Sequence, residues 1–176
     1  HRSFLLFEEG SKINVENIHF HTGGGATNRA VSFKQLGFDV TTFCKVGNDK
    51  PSEFIIQRLA DLGIHTQYIK QSDEYITGHS FIYPLASGDR TVLCYRGANA
   101  YLHAHEIPEV IETFNNVYIT SLSGESAYML LPITRLAKLH SGLVATNPGT
   151  SQLTSGSQTL YEALPNIDIF IINSEE

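Results

Sequence analysis

The sequence predicts an α/β fold with a small antiparallel β appendage. After residue 105, near-continuous apolar strands alternate with amphipathic helices, which is typical of a parallel sheet buried on both faces. Between residues 78 and 95, two strands of mixed polarity flank a glycine-containing turn, which predicts a β-hairpin with one face in water.

The first half of the chain contains elements of both kinds. Imperfect alternation of apolar residues predicts short strands over 3–20. Helical spacing of apolar residues predicts helices over 28–36 and 52–62, each followed by a glycine that ends it. Further strands are predicted over 40–46 and 66–70.

The second half repeats a helix followed by a strand. The predicted helices and the strands that follow them are 105–114 with 117–120, 127–140 with 143–146, and 158–164 with 167–172. The Pro- and Gly-rich stretch 148–156 predicts a loop that leads into the last helix, rather than a domain boundary.

Composition excludes several classes of protein. The chain has 176 residues, of which 41% are hydrophobic and 17% charged, with a net charge of −6. These values predict one globular domain and exclude disorder, collagen and coiled coil. No apolar run reaches the ~18 residues of a membrane span, and the acidic balance argues against nucleic-acid binding. Cys44 and Cys94 fit no zinc or redox spacing, so we expect a reducing, cytoplasmic setting. Together, these observations predict a chain without membrane or nucleic-acid partners.

A glycine cluster stands directly before the first predicted helix. Gly23, Gly24 and Gly25 permit positive φ and let a ligand approach the main chain, while the helix N-terminus offers unpaired N–H groups. The amide of Asn28 donates and accepts hydrogen bonds, which suits a hydroxyl group. The cluster is neither a P-loop nor a dinucleotide fingerprint, because both spacings are absent. A plain glycine loop that caps the helix is the alternative interpretation.

Five separated motifs, the first of them an N-terminal signature in three parts, together resemble the ribokinase-like (PfkB) carbohydrate kinases. In chain order they are Gly23-Gly24 with Asn28, Leu36-Gly37, Val46-Gly47-Asn48-Asp49, Ile76-Thr77-Gly78, Arg96-Gly97-Ala98-Asn99, Asn147-Pro148 and Asn173-Ser174-Glu175-Glu176. The resemblance covers nearly the whole chain. It implies a ribokinase-like three-layer α/β/α fold with a small β-sheet lid. Residues 1–176 are then one partial domain, with lid strands at about 3–20 and 78–96 and an α/β body at 26–70 and 100–176.

The resemblance also implies a reaction: ATP-dependent phosphorylation of a hydroxymethyl group of a sugar or nucleoside, with Mg²⁺. It places Gly23, Gly24 and Asn28 in the sugar pocket, and Glu125 near a sugar-binding acid of some members. Arg96 offers a fork of donors for a substrate carboxylate or phosphate, with a surface arginine as the alternative.

At the nucleotide side, the resemblance implies that Asn173 and Glu176 face the phosphates and Mg²⁺, Glu176 through water, with no residue binding metal directly. A helix cap after the last strand is the alternative for this motif. The resemblance also implies that the lid can serve as the interface of a homodimer.

The catalytic base of the family is missing from this sequence. Members carry it as the aspartate of a Gly-Ala-Gly-Asp motif at a helix N-terminus, and residues 1–176 contain no such motif and no adenine-binding region after it. We therefore expect a first strand before His1, a catalytic aspartate beyond Glu176, and no turnover by the 176-residue chain alone. A non-catalytic carbohydrate-binding module that uses the same pocket is the alternative.

Overall fold

The computed structural model describes residues 4–85, 88–140 and 142–173. Within these ranges the α-helices are α1 (Gly25–Gln35), α2 (Lys50–Asp61), α3 (Leu130–Lys138), α4 (Thr150–Leu153) and α5 (Ser157–Ala163). The strands are β1 (Lys45–Gly47), β2 (Lys70–Ser72), β3 (His79–Pro84), β4 (Arg90–Tyr95), β5 (Asn116–Ile119), β6 (Leu143–Thr146) and β7 (Ile169–Phe170). Short 3-10 helices span Gly97–Ala100, Ala104–Glu106, Glu109–Thr113, Gly124–Met129 and Leu164–Asn166.

The described strands form three separate sheets. Strands β5, β6 and β7 pair in parallel in that order, with α3 and α5 in the two connections. Strands β1 and β2 form a parallel pair, and β3 and β4 form the antiparallel hairpin. Helical connections between parallel neighbours define the α/β class. The predicted hairpin and the parallel arrangement after residue 105 are therefore confirmed.

The main apolar core lies between the three-stranded sheet and its helices. Its most buried members come from β5, β6, α3 and α5: Ile119, Val144, Leu130, Ile133, Ala137, Leu160 and Ala163. A second cluster joins α1 to α2 through Ala30, Leu59 and Ile64. The second cluster packs α1 against α2 and against residues that flank β1 and β2, such as Val40 and Ile69. None of the helices in the described ranges is long and apolar enough to cross a bilayer.

Local chemistry explains where the structure departs from the predicted helices. The expected helix 105–114 is wrong: the chain forms two 3-10 helices, Ala104–Glu106 and Glu109–Thr113. Pro108 lies between them, lacks an N–H and restricts the residue before it. The expected helix 127–140 begins instead with a 3-10 turn and is α-helical only over α3.

The segment at 148–156 also differs from the expected loop. It contains the short helix α4, which begins after Gly149. The strands predicted at 40–46 and 66–70 are shorter and displaced toward their C-terminal ends, as β1 and β2. Before β1, the pairing is limited to a single bridge between Thr41 and His65 in the residues described.

The strand prediction over 3–20 is wrong for residues 4–20, which carry no strand. An extended segment becomes a strand only when its N–H and C=O groups pair with a neighbour. In the described chain this segment has no such ladder, and its apolar residues stand in solvent, among them Phe4, Leu6, Val15 and Phe20. One ring contact, Phe7 to Tyr83 at 5.9 Å, joins it to the hairpin. Residues 1–3 lie outside the described ranges.

Candidate functional site

The glycine loop is held by the first turn of α1. Gly24 precedes the helix with φ of 100°, a conformation that favours glycine. The hydroxyl of the buried Thr27 lies 2.5 Å from the Gly23 carbonyl oxygen and 3.1 Å from that of Gly24, and it donates to them. Gly23 and Gly24 themselves are exposed. The loop is therefore fixed from the protein side while its outer surface stays open.

One face of α1 packs along β5. Gly25, Arg29 and Phe33 recur every four residues, so they share that face. A Cβ on Gly25 would lie 2.5 Å from Oγ1 of Thr120, just after β5. The Phe33 ring lies 5.5 Å from the ring of Tyr118, and the Arg29 guanidinium carbon lies 6.0 Å from the same ring. These contacts fix the glycine loop at the carboxyl end of β5.

Two asparagines follow the neighbouring strands at the same edge of the sheet. Asn147 comes directly after β6, and its amide donates to the Ile171 carbonyl after β7 at 2.9 Å. Asn173 is exposed, two residues further along. In open parallel sheets, ligands bind in the crevice outside the carboxyl ends of the strands. The glycine loop and both asparagines thus surround the edge where a ligand is expected.

The base of the hairpin is a close approach of two backbone segments. The Ala98 N–H donates to the Ile76 carbonyl at 2.9 Å, and Gly97 has φ of 52°. A Cβ on Gly78 would lie 2.7 Å from the Arg96 carbonyl oxygen. Only glycine fits such spacing without displacing backbone. Gly97, the first residue of the 3-10 helix Gly97–Ala100, therefore has a backbone conformation that favours glycine.

The base of the hairpin also contacts the loop after β5. The Ser126 hydroxyl donates to the Asn99 carbonyl at 2.8 Å and accepts from the Leu102 N–H at 2.7 Å. Glu125, the residue before Ser126, is exposed in the 3-10 helix Gly124–Met129. Arg96 is exposed at the start of the 3-10 helix Gly97–Ala100. The chain segments that carry Arg96 and Glu125 are therefore brought together.

Asn28 lies in the first turns of α1, next to the glycine loop. Its backbone N–H donates to the Gly24 carbonyl at 3.0 Å. The side chain is exposed and makes no hydrogen bond to any part of the chain that the structure describes. Its donor and acceptor therefore remain available to a ligand. Glu176 lies outside the described residues.

Two carboxylates near the site have lowered pKa values. Burial acts to raise the pKa of Asp49, but hydrogen bonds from Thr77 and Ser52 outweigh it and the net shift is downward. Burial likewise opposes ionisation of Glu106, and its hydrogen bond and charge pairing with Lys45 lower the pKa overall. Both carboxylates are therefore ionised and accept hydrogen bonds within the fold.

A pair of stacked tyrosines lies beside the base of the hairpin. The rings of Tyr75 and Tyr101 are 3.8 Å apart and nearly parallel. A hydrogen bond with Glu74 is the main cause that raises the pKa of Tyr75 to about 12, with smaller effects of burial and of the charges of Glu74, Tyr101 and Glu125. Glu125 therefore lies within electrostatic range of this pair. In the described ranges, no three His, Cys, Asp or Glu side chains group closely enough to hold a metal ion.

Sequence reasoning missed the long-range partners within this region. Asp49 and Thr77 belong to separate motifs of the sequence, yet the two side chains bind each other. The buried pair of Lys45 and Glu106 was also missed. A polar residue in a stretch that resembles a linker, Gln152, is completely buried. No local pattern reveals these features. The two bonded pairs join residues that are 28 and 61 positions apart, and the burial of Gln152 depends on the fold.

A family model for the pfkB family of carbohydrate kinases matches residues 2–176. The chain belongs to this family. A ribokinase of Staphylococcus aureus (strain COL) is 26% identical to the pfkB-family chain over 171 residues, which are 96% of this chain and 55% of that protein. The chain spans about half the length of the curated ribokinases that it matches.

Solved structures confirm the fold of this pfkB-family chain. The crystal structure of Sa239 superposes with a TM-score of 0.81 at 27% identity, covering 97% of this chain and 55% of that one. A ribokinase from Thermotoga maritima superposes with a TM-score of 0.76 at 20% identity, covering 96% of this chain and 53% of that one. The predicted ribokinase-like α/β fold and the predicted family are therefore both correct.

Proposed function

We propose that this pfkB-family chain carries the sugar-binding half of an ATP-dependent kinase that phosphorylates a hydroxymethyl group of a sugar or nucleoside. The observation that carries the proposal is the fixed glycine loop at the carboxyl edge of the β5–β6–β7 sheet. Beside it lies the side chain of Asn28, which has no hydrogen-bond partner among the described residues. The ribokinase names of its relatives make D-ribose the first sugar to test.

In this proposal the glycine loop and Asn28 hold the sugar. Gly23 and Gly24 present backbone groups to its hydroxyls, and Asn28 donates and accepts hydrogen bonds. Glu125 and Arg96 approach from the side of the hairpin, which acts as the lid. Arg96 would pair with an anionic group on the substrate, if the substrate carries one.

The nucleotide side of the proposal rests on the end of β7. Asn173 is exposed there, and Glu176 follows it in the sequence. We propose that both face the phosphates of ATP and its Mg²⁺. Mg²⁺ usually keeps several waters and takes few protein carboxylates, so phosphate and water would supply most of its ligands. Bound Mg²⁺ would neutralise charge on the transferred phosphoryl group.

We further propose that the 176-residue chain does not turn over alone. Phosphoryl transfer to a hydroxyl needs a base for the hydroxyl proton and donors for the developing charge. The sequence contains no Gly-Ala-Gly-Asp motif to supply them. Exposed apolar residues on the last strand and after it, Ile169, Ile171 and Ile172, support a partial domain whose sheet continues in another segment.

The hairpin supports a possible homodimer through the lid. Phe81 and Leu93 pair across β3 and β4 and are 61% and 53% exposed. An exposed apolar sheet face of this kind is a common protein contact. Sedimentation at several concentrations tests the proposal: the parent chain should dimerise, F81D should be monomeric, and a parent chain that stays monomeric would contradict it.

We place the protein in the cytoplasm, as its two unpaired cysteines suggest.

Calorimetric titration of a sugar and nucleoside panel, with a coupled assay for ADP, tests the function. We expect saturable binding of at least one member and no ADP above background. Sugar-dependent ADP formation would contradict the proposed lack of turnover. Absence of binding to every member by a folded chain would contradict the sugar site.

A further inference from the structure

Gln152 is a completely buried polar residue in α4, directly after β6. Its Oε1 atom accepts two hydrogen bonds, from the Leu122 N–H at 2.8 Å and from the Gly149 N–H at 2.9 Å. Both partners are donors, so the atom that faces them must be the carbonyl oxygen of the amide. The chemistry of the partners therefore fixes the orientation of this side chain.

The two partners belong to loops that leave neighbouring parallel strands. Leu122 follows β5 and Gly149 follows β6, so a single oxygen joins both loops at the carboxyl edge of the sheet. The loops also touch, because a Cβ on Gly149 would overlap the side chain of Ser121. Their separation is thus set by one buried acceptor and one close contact.

The nitrogen of the same amide contributes no bond. Nε2 is buried and has no hydrogen-bond partner within the described ranges. A buried donor without a partner is unfavourable, and native proteins contain few. The stabilising role of Gln152 therefore resides in its oxygen. A side chain of the same shape that keeps an acceptor there can replace it without losing a hydrogen bond.

We propose that Gln152 is a positioning residue for the sugar site. It holds the loop that carries Glu125 against the loop that begins at Asn147, and so sets the width of the crevice at the carboxyl edge. This inference rests on the proposed sugar-binding function. It adds a residue outside the motifs that carry the family resemblance, and one that does not touch the sugar.

Three variants of the 176-residue chain separate this role from a general loss of packing. Q152L keeps the approximate volume and removes the acceptor. Q152E keeps acceptor oxygens for both N–H groups, at the cost of burying a carboxyl group. Q158L is the matched control, because Gln158 is exposed and, within the part of the chain that the structure describes, bonds only Glu162, one turn away in α5. Amide hydrogen exchange at Leu122 and Gly149 and calorimetric titration with D-ribose are measured on each.

We expect Q152L to exchange both amides at least about tenfold faster and to bind D-ribose about tenfold more weakly, as expected for loss of buried hydrogen bonds. Q158L should stay within about threefold of the parent in both measurements, and Q152E, which keeps the acceptor, should bind D-ribose more tightly than Q152L. Unchanged exchange in Q152L overturns the proposal, and so does faster exchange with unchanged ribose affinity. If the parent chain binds no sugar, the proposed function fails, and with it a sugar-site role for Gln152, while hydrogen exchange alone still decides whether the oxygen joins the loops.

Discussion

The carboxylate of Asp49 binds Thr77 through two hydrogen bonds. The Thr77 N–H donates to Oδ2 at 2.7 Å, and the Thr77 hydroxyl donates to Oδ1 at 2.6 Å. Oδ1 also accepts from the Ser52 N–H at 3.0 Å, which caps the start of α2. One side chain therefore joins the N-terminus of α2 to Thr77, two residues before the hairpin strand β3.

Replacing Asp49 should destabilise the chain. D49N removes a charged acceptor from three donors and should lower the free energy of unfolding by about 1–3 kcal/mol in urea titrations. D39N is the control, because Asp39 is 83% exposed and, among the described residues, pairs only with His65. It should change stability by less than about 0.5 kcal/mol. Equal effects of the two variants would contradict the role of Asp49.

The stability difference between the parent chain and D49N should depend on pH. The folded-state pKa of Asp49 is lowered from its ordinary value of 3.8, so the carboxylate stabilises the fold above that pH. The stability difference between the parent and D49N should be constant near neutral pH and shrink as pH falls below about 4. A difference that grows on acidification would have the wrong sign.

The buried ion pair of Lys45 and Glu106 offers a second test. Their side chains are 9% and 15% exposed, and Lys45 Nζ also donates to the Tyr101 carbonyl at 2.8 Å. K45M keeps most of the volume but leaves Glu106 buried without its partner, which should cost about 3 kcal/mol or more in urea unfolding.

The exposed pair of Lys50 and Glu53 is the matched control for this ion pair. Its side chains are 88% and 60% exposed, although the N–O distance is 2.7 Å, slightly shorter than the 2.8 Å of the buried pair. K50M should cost less than about 1 kcal/mol, because water screens exposed charges. If K45M were as mild as K50M, burial would not determine the contribution of this pair.

Alanine substitutions in the glycine cluster should separate its members. A Cβ on Gly25 would lie 2.5 Å from the Thr120 hydroxyl, whereas one on Gly23 would meet nothing within 4 Å. G25A should lower the free energy of unfolding, measured by urea titration, by about 1–3 kcal/mol. It should do so despite the better helix propensity of alanine, because the added methyl group overpacks the contact. G23A should be nearly neutral. A stabilised G25A would show that α1 does not abut β5 in this way.

The two cysteines should differ in reactivity. Cys94 is exposed on β4, whereas Cys44 is half-buried and desolvation raises the pKa of its thiol to about 12. The thiolate is the reactive form, so a disulfide reagent at pH 8 should modify one thiol of the folded chain quickly and none in C94S. In denaturant both thiols should react. Rapid reaction of two thiols without denaturant would contradict the packing around Cys44.

Local sequence patterns correctly predicted several of the helices and strands. The strand at 143–146 has the predicted bounds, and the hairpin and the helices near 28–36 and 52–62 lie within a few residues of theirs. These segments combine clear periodicity with turn or cap residues at their ends. Pro108 broke a predicted helix, and residues 4–20 lacked a neighbour to pair with, which no local pattern reveals.

The motifs of the site were readable, but their physical connections were not. The glycine cluster and Asn28 are consecutive in sequence, so their proximity follows from the chain itself. The bond between Asp49 and Thr77, and the contact of Gly25 with Thr120, join residues far apart in sequence. Such contacts depend on how helices and sheets pack, which spacing alone does not specify.

We propose that this chain holds a sugar through its glycine loop and Asn28. Calorimetric titration of D-ribose into the parent chain, N28A and Q35A tests it most directly, since Asn28 and Gln35 are both exposed on α1 and only Asn28 adjoins the loop. We predict saturable binding by the parent and Q35A, and at least about tenfold weaker binding by N28A. Equal affinities in all three folded proteins would contradict the claim.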